Sequence, residues 1–180
     1  YIDEKVSESN LILKTGIMFS HESEYRRDYF FSKKIIKFLT EYKNGSRKFL
    51  SVGDILIKRD IGYAPEYSDA IFEILLLDNS EKYIVSSNTL YKLSDFIEFS
   101  LDYLQLNYEV LFEDKLIKYI DISTGETFIR SDIKQFRKHD LRGIQGDNSK
   151  LITATGWKPK LKLEEICKKM IDYNLKAELR

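Results

Sequence analysis

Short apolar runs rich in β-branched residues alternate along this chain with longer segments in which apolar residues recur at helical spacing. The short runs predict buried strands, and the longer segments predict amphipathic helices. The expected strands are residues 11–19, 48–52, 83–86 and 108–112, with a hairpin of 118–122 and 127–130. The expected helices are residues 30–42, 65–77, 94–106 (capped by Ser94) and 162–175. Strands that alternate with helices indicate an α/β fold.

The charge balance and the cysteine content exclude several classes of function. Lysine plus arginine equals aspartate plus glutamate at 29 each, which argues against an electrostatic binder of nucleic acid or of a membrane but leaves room for a local basic pocket. The single Cys167 excludes an internal disulfide and a multi-cysteine metal site, and we expect it to be a buried apolar residue. No long apolar run or signal peptide is present, so we expect a cytoplasmic setting.

The chain has too few strand–helix units for a complete dinucleotide-binding sheet. No GxGxxG or GxxGxxG string occurs, so the glycine-rich phosphate turn of such a sheet is missing from the sequence. The first residues, YIDEKVSESN, read as the end of a helix already under way. A fragment, a processed product and an incompletely recorded chain all remain open.

Four strings, in this order and at this spacing, carry a resemblance to a known family. They are TGIMFSHES (15–23), RDIGYAPEY (59–67), GDNSK (146–150) and GWKP (156–159). Together they resemble the GDP-mannose 4,6-dehydratases, which are extended short-chain dehydrogenases/reductases. The resemblance implies that residues 1–180 are a single incomplete unit, the end of a Rossmann domain followed by a nucleotide-sugar-binding C-terminal region.

The resemblance also implies an activity for the full-length parent. The expected activity is that of an NADP-dependent lyase, which converts GDP-mannose or a related GDP-hexose to the 4-keto-6-deoxy sugar. The resemblance further implies that the full-length parent forms homo-oligomers. A Tyr and a Lys in a YxxxK motif carry out proton transfers in that family. Tyr1 to Lys5 match this spelling, but Lys5 lies only six residues before the expected strand, too few for a helix rising 1.5 Å per residue to cross the sheet. We therefore assign no catalytic residue in this chain.

Two residues are expected at the cofactor. By resemblance, His21 of the HES string and Arg26, five residues on, contact NADP, with Arg27 as a competitor for the arginine position. An imidazole and a guanidinium suit the amide, ribose and phosphate groups of a dinucleotide.

The candidate diphosphate-binding residues are cations spread along the chain. Arg59 and Arg137 fall on the family's two nucleotide-contacting arginines, and Asp60 is expected to orient Arg59. Planar forked donors suit a diphosphate. Lys33 or Lys34, at the start of a helix, is expected to contribute a further cation, and we favour Lys34.

Two further positions are expected to contact the substrate. Ser20 stands where the family usually has a substrate-facing Asn, and Asp140 falls on an acidic position suited to the ribose hydroxyls. Two other interpretations remain open. The parent could be a reductase or epimerase acting on another nucleotide sugar, or the chain could be a truncated, non-catalytic nucleotide-binding module.

Overall fold

The computed structural model describes residues 12–46, 48–114, 116–138 and 143–178. Within these ranges the strands are β1 Thr15–Met18, β2 Ser20–Glu22, β3 Leu50–Val52, β4 Lys58–Tyr63, β5 Lys82–Val85, β6 Leu90–Lys92, β7 Tyr108–Glu113, β8 Leu116–Asp121 and β9 Thr127–Ser131. The α-helices are α1 Phe31–Lys43, α2 Ala64–Leu76, α3 Leu93–Tyr103, α4 Ser149–Thr155 and α5 Leu163–Glu178. A single turn of 3₁₀ helix spans Ile133–Gln135.

The strands form three small sheets. In the first, β1 and β5 pair in parallel, with Thr15 opposite Lys82. In the second, β4 lies between β2, to which it is parallel, and β6, to which it is antiparallel. The third sheet has the order β3-β9-β8-β7, in which β3 is parallel to β9 and the other pairs are antiparallel. Parallel pairs joined through helices confirm the α/β class.

Two apolar cores hold these elements together. The larger core packs α1, α3 and α5 against the β8–β9 hairpin, with Leu39, Ile97 and Ile129 fully buried. The smaller core lies between α2 and β5 around Tyr67. Cys167 is completely buried in the larger core, and burial raises the pKa of its thiol to about 12. Its predicted role as a small apolar core residue is confirmed.

Most of the expected elements are present, with four corrections. The helix expected from Pro65 of the RDIGYAPEY string is present as α2, but strand β4, which the first half of the string forms, was not expected. Strand β6 and helix α4 were not expected at all. The prediction that Ser94 caps a helix is wrong, because α3 begins at Leu93 and Asp95 accepts the Lys92 N–H at 2.8 Å. The expected helix end at the start of the chain lies outside the described residues.

Candidate functional site

A cleft of about 370 Å³ opens between the first turn of α1, strands β2 and β4, and the segment that follows β3. Four of the residues expected at the substrate, Ser20, Lys34, Arg59 and Arg137, line it. They come from four separate parts of the sequence, so the fold brings them together. The fifth, Asp140, lies outside the described residues.

Strand β2 divides its residues between two faces. Because successive side chains of a strand point to opposite sides, Ser20 and Glu22 line the cleft and His21 does not. Nδ1 of His21 lies 2.9 Å from the carbonyl oxygen of Phe19, which can only accept, so Nδ1 carries the proton. The imidazole packs beside Tyr67, with 5.5 Å between ring centroids.

Helix α1 presents one of its two adjacent lysines to the cleft. Lys34 is exposed there, whereas Lys33 is buried on the other side. The Lys33 ammonium lies 3.4 Å from the carbonyl oxygen of Glu24 and 5.3 Å from the ring centroid of Tyr173, and burial lowers its pKa. The helix begins at the cleft wall, since Phe30 and Phe31 also line it, and its N-cap residue, Phe30, forms no side-chain capping hydrogen bond. Uncapped N–H groups at a helix start favour an anion.

Arg59 lies half-buried on β4, where its Nη1 donates to the Lys58 carbonyl at 2.8 Å. The expectation that Asp60 orients Arg59 is wrong. Asp60 points to the opposite face of the strand, and its carboxylate accepts hydrogen bonds from Ser87 and Gly146 instead. Arg137 is exposed at the other side of the cleft, two residues beyond the 3₁₀ turn.

Arg26 lies at the edge of the cleft, among residues that line it. Its guanidinium carbon is 3.6 Å from the centroid of the Phe30 ring, and its Nε is 3.2 Å from Oε2 of Glu22, without hydrogen-bond alignment. The same carboxylate accepts the Ser32 hydroxyl at 2.6 Å. Burial raises the pKa of Glu22, while Ser32 and Arg26 act in the opposite direction.

The comparisons with known proteins identify the family. The sequence profile of the family described as GDP-mannose 4,6 dehydratase matches residues 4–170. The chain belongs to this family. It is 30% identical over 165 residues to GDP-mannose 4,6 dehydratase 2 of Arabidopsis thaliana, covering 92% of this chain and 40% of that protein. It is 28% identical over 177 residues to GDP-mannose 4,6-dehydratase of Vibrio cholerae, covering 92% of this chain and 47% of that protein.

Solved structures show the same fold. The structure of RMD from Pseudomonas aeruginosa complexed with NADPH superposes with a TM-score of 0.77 at 21% identity, covering 98% of this chain and 51% of that chain. The dTDP-glucose 4,6-dehydratase of Bacillus anthracis, in complex with NAD, superposes with a TM-score of 0.74 at 17% identity. The match covers 98% of this chain and 49% of that chain. The expected short-chain dehydrogenase/reductase fold is confirmed, and the chain spans about half the length of these proteins.

Membership of the GDP-mannose 4,6-dehydratase family did not reveal every polar residue in the cleft. Sequence reasoning missed Glu22, Ser51, Asp54 and Gln135, all of which line it. Glu22 belongs to the HES string, in which only the histidine was singled out. No role was assigned to Asp54 from the sequence, and nothing in the local sequence marks Gln135 as close to it.

The described residues could contact only part of a bound dinucleotide. His21 and Arg26 offer ring and guanidinium nitrogens beside β2, but the sequence contains no glycine-rich turn to hold the cofactor phosphates. Within the described ranges, no cluster of three or more potential metal ligands occurs. No described helix combines the length and the apolar composition needed to cross a membrane.

Proposed function

We propose that this chain supplies the nucleotide-sugar-binding part of an NADP-dependent GDP-sugar 4,6-dehydratase, acting on GDP-mannose or a related GDP-hexose. The observation that supports this most is the convergence of Lys34, Arg59 and Arg137 on one cleft, beside the uncapped start of α1. Family membership supports the reaction class, the conversion of the sugar to its 4-keto-6-deoxy form.

The cleft suits a diphosphate on physical grounds. Two guanidinium groups can each make forked, charge-assisted bonds to phosphate oxygens, and the Lys34 ammonium adds a point charge. Each charge-assisted bond contributes roughly 1.5–3 kcal/mol. The remaining walls are largely apolar, with Ile55, Ile57 and Ile61 among them. A ligand with a charged centre and flat or apolar ends matches this distribution.

The cofactor lies, in this proposal, on the His21 side of β2. With its Nδ1–H donated to Phe19, the His21 ring has Nε2 left for a ligand, and Arg26 presents a guanidinium at the cleft margin. The nicotinamide supplies the hydride chemistry when it is bound. Ser20 and Glu22, the sequence neighbours of His21, lie on the other face of β2, in the cleft, where they would position the sugar.

Calorimetric titration of the chain with GDP tests the diphosphate site. R59A and R137A should each weaken GDP binding by roughly one to two orders of magnitude, because 1.4 kcal/mol corresponds to a factor of ten. R59K and R137K should recover only part of the loss, since an ammonium cannot make the fork. The matched controls are K58A and K138A, which remove exposed cations adjacent in sequence that do not line the cleft. Equal losses in the controls, or normal GDP binding by both arginine variants, would refute the assignment.

Two further titrations separate the alternatives. H21A and R26A should leave GDP affinity nearly unchanged, because in this proposal they serve the cofactor. Titration with UDP, CDP and dTDP beside GDP identifies the nucleotide class. A preference for UDP, CDP or dTDP would contradict the GDP-sugar assignment and favour an enzyme of the same fold that acts on another nucleotide sugar, and binding of none of the four would contradict a nucleotide-binding role.

A further inference from the structure

Two of the four family strings contain aromatic residues that the proposed function does not use. Tyr67 ends the RDIGYAPEY string, lies at the start of α2 and is completely buried. Its ring lies beside that of His21, with 5.5 Å between centroids, and beside that of Trp157 in the GWKP string, with 6.2 Å between centroids. Nε1 of Trp157 donates to the Glu66 carbonyl at 3.0 Å, which joins the two strings. Tyr67 therefore sits between His21 and a ring that is itself anchored.

The position next to His21 on strand β4 has no side chain of its own. In the parallel pairing of β2 with β4, His21 lies opposite Gly62. Residues opposite each other on paired strands normally place their side chains next to each other on one face of the sheet. A Cβ on Gly62 would lie 2.3 Å from Cε1 of Tyr67 and 2.5 Å from its hydroxyl oxygen, so that space is already filled. The Tyr67 ring takes the place of the missing side chain as the neighbour of the imidazole.

Two contacts hold the half-buried imidazole of His21 in one orientation. Nδ1 donates to the Phe19 carbonyl at 2.9 Å, and the Tyr67 ring packs beside the imidazole. The hydrogen bond at Nδ1 sets the tautomer, which makes Nε2 the acceptor for a ligand. A hydrogen bond by itself is readily exchanged for one to water. A packed ring beside the imidazole removes the room that other rotamers need.

The ring of Tyr67, and not its hydroxyl, supports His21. The hydroxyl oxygen is buried, and no described group makes a well-aligned hydrogen bond with it. Burial, and after it the Asp60 carboxylate, raises the pKa of Tyr67, while the nearby Ser87 backbone acts in the opposite direction. The phenol therefore stays neutral at physiological pH, and its contribution to His21 is packing.

We propose that Tyr67 is a positioning residue for His21, an inference that rests on the proposed function. Its ring fills the place that Gly62 leaves empty and keeps the imidazole in the rotamer that bonds Phe19, with Nε2 available to the cofactor. Tyr67 does not line the cleft, so it acts on a ligand only through His21. The contact also explains why a glycine and a large aromatic residue occur together in RDIGYAPEY.

The alternative is that Tyr67 only fills the smaller core, to which it belongs. That role predicts that any loss of volume from this core affects His21 to the same extent. Ile74 is a matched case, because it lies in the same core and is 2% exposed. Positioning instead predicts that loss of the Tyr67 ring changes the state of His21 and that truncation of Ile74 does not.

The test is magic-angle-spinning NMR of the sedimented whole chain, with histidine labelled at both ring nitrogens, which report the tautomer directly. Spectra are recorded at about pH 8.5, above the ordinary pKa of histidine, and H21A identifies the His21 signals. The wild-type chain and Y67F should show a protonated Nδ1 and an unprotonated Nε2. In Y67L the ratio of the Nδ1–H form to the Nε2–H form should fall roughly two- to tenfold, the factor that corresponds to one ordinary hydrogen bond. I74A should keep the wild-type ratio.

A second variant covers the case in which Y67L does not fold. Y67M fills more of the same volume without a ring and should lower the tautomer ratio in the same direction. An unchanged ratio in the folded ring-less variant would overturn the positioning role while leaving the proposed function intact. An equal fall in I74A would overturn it as well, because the effect would then come from a general loosening of the core.

Addition of NADP links this inference to the proposed function. At a high concentration, chosen because the sequence contains no glycine-rich phosphate turn, NADP should shift the Nε2 signal of the wild-type chain and of Y67F. The shift should be smaller in Y67L. A response of the same size in Y67L would overturn the positioning role alone. No response in the wild-type chain would instead overturn the cofactor assignment in the proposed function, and the role of Tyr67 with it.

Discussion

Oδ2 of Asp60 accepts a hydrogen bond from the backbone N–H of Gly146 at 3.0 Å, across 86 positions of the sequence. The other oxygen, Oδ1, accepts the N–H of Ser87 at 2.8 Å and its hydroxyl at 2.6 Å. Asp60 is only 1% exposed. One buried carboxylate therefore joins three segments: strand β4, the loop after β5, and the chain that leads into α4. It fixes strand β4 relative to these two segments.

Replacement of Asp60 by asparagine should destabilise the protein. The amide nitrogen cannot accept, so either Gly146 or Ser87 loses its partner in a buried place, at a cost of about 1–3 kcal/mol in the free energy of unfolding. Urea denaturation of D60N measures this cost. The control is D69N, which changes an exposed aspartate on α2. A loss in D60N no larger than that in D69N would show that the carboxylate does not hold the segments together.

The glycine of the RDIGYAPEY string should resist substitution for a packing reason. A Cβ on Gly62 would lie 2.3 Å from Cε1 of Tyr67, whose ring is fully buried against His21 and Trp157. We expect G62A to lose about 1–3 kcal/mol of unfolding free energy, the usual cost of overpacking a core. At Gly143 the nearest atom is the Lys58 Cβ at 3.4 Å, an ordinary contact, so G143A is the control. Equal thermal stability of the two variants would contradict this account.

The sequence predicted the elements whose signals are local and missed those that depend on distant partners. Helix α1 was expected at 30–42 and spans Phe31–Lys43, because apolar periodicity is a local signal. Strand β4 was missed because its extended form depends on β2 and β6, and β6 itself has only three residues. Helix α4, with seven residues, is too short for its periodicity to be recognised.

The same limit applies to the site. Four of the residues expected at the substrate line one cleft, and their roles in binding stay predictions. Of the two candidate lysines, the favoured Lys34 faces the cleft, whereas Lys33 is buried on a different side of α1. The step of about 100° between successive helical residues explains why only one of the two faces the cleft. The partners of Asp60 and the approach of Gln135 to Gly53 are tertiary contacts, which no local pattern encodes.

The stability contributed by Glu22 should depend on pH in a defined direction. Burial raises the pKa of Glu22 above its ordinary value of 4.5. From about pH 4.5 up to this raised pKa the folded state binds more protons than the unfolded state, so the free energy of unfolding falls as the pH rises. The wild-type chain should therefore lose stability relative to E22Q across this interval and show a constant difference above it.

Urea denaturation of both chains between about pH 4.5 and about pH 7.5 measures this difference. E109Q, which removes one exposed carboxylate on β7, shows the effect of a change in net charge away from Glu22. The direction stated here would be contradicted if the free energy of unfolding of the wild type, minus that of E22Q, stayed constant or rose with pH over this interval.

The last prediction concerns an exposed apolar surface on α2 and β1. Phe72, Leu75 and Leu76 are 61–62% exposed and recur at i, i+3 and i+4 on one face of α2. On β1, Ile17 and Met18 are 47% and 43% exposed, and among the described strands β1 pairs only with β5. Apolar patches of this kind and open strand edges promote association. We therefore expect the chain to self-associate at micromolar concentrations, which sedimentation velocity detects.

A single charge on this surface should weaken the association. Burial of one leucine side chain contributes about 1.5–3 kcal/mol, so L75K should lower the association constant by roughly tenfold or more. The matched control is F112K, because Phe112 is 67% exposed on β7, away from α2 and β1. If F112K disperses the chain as well as L75K does, the association is a general effect of net charge. If the wild-type chain sediments as a monomer and unfolds cooperatively, the α2–β1 surface does not drive association.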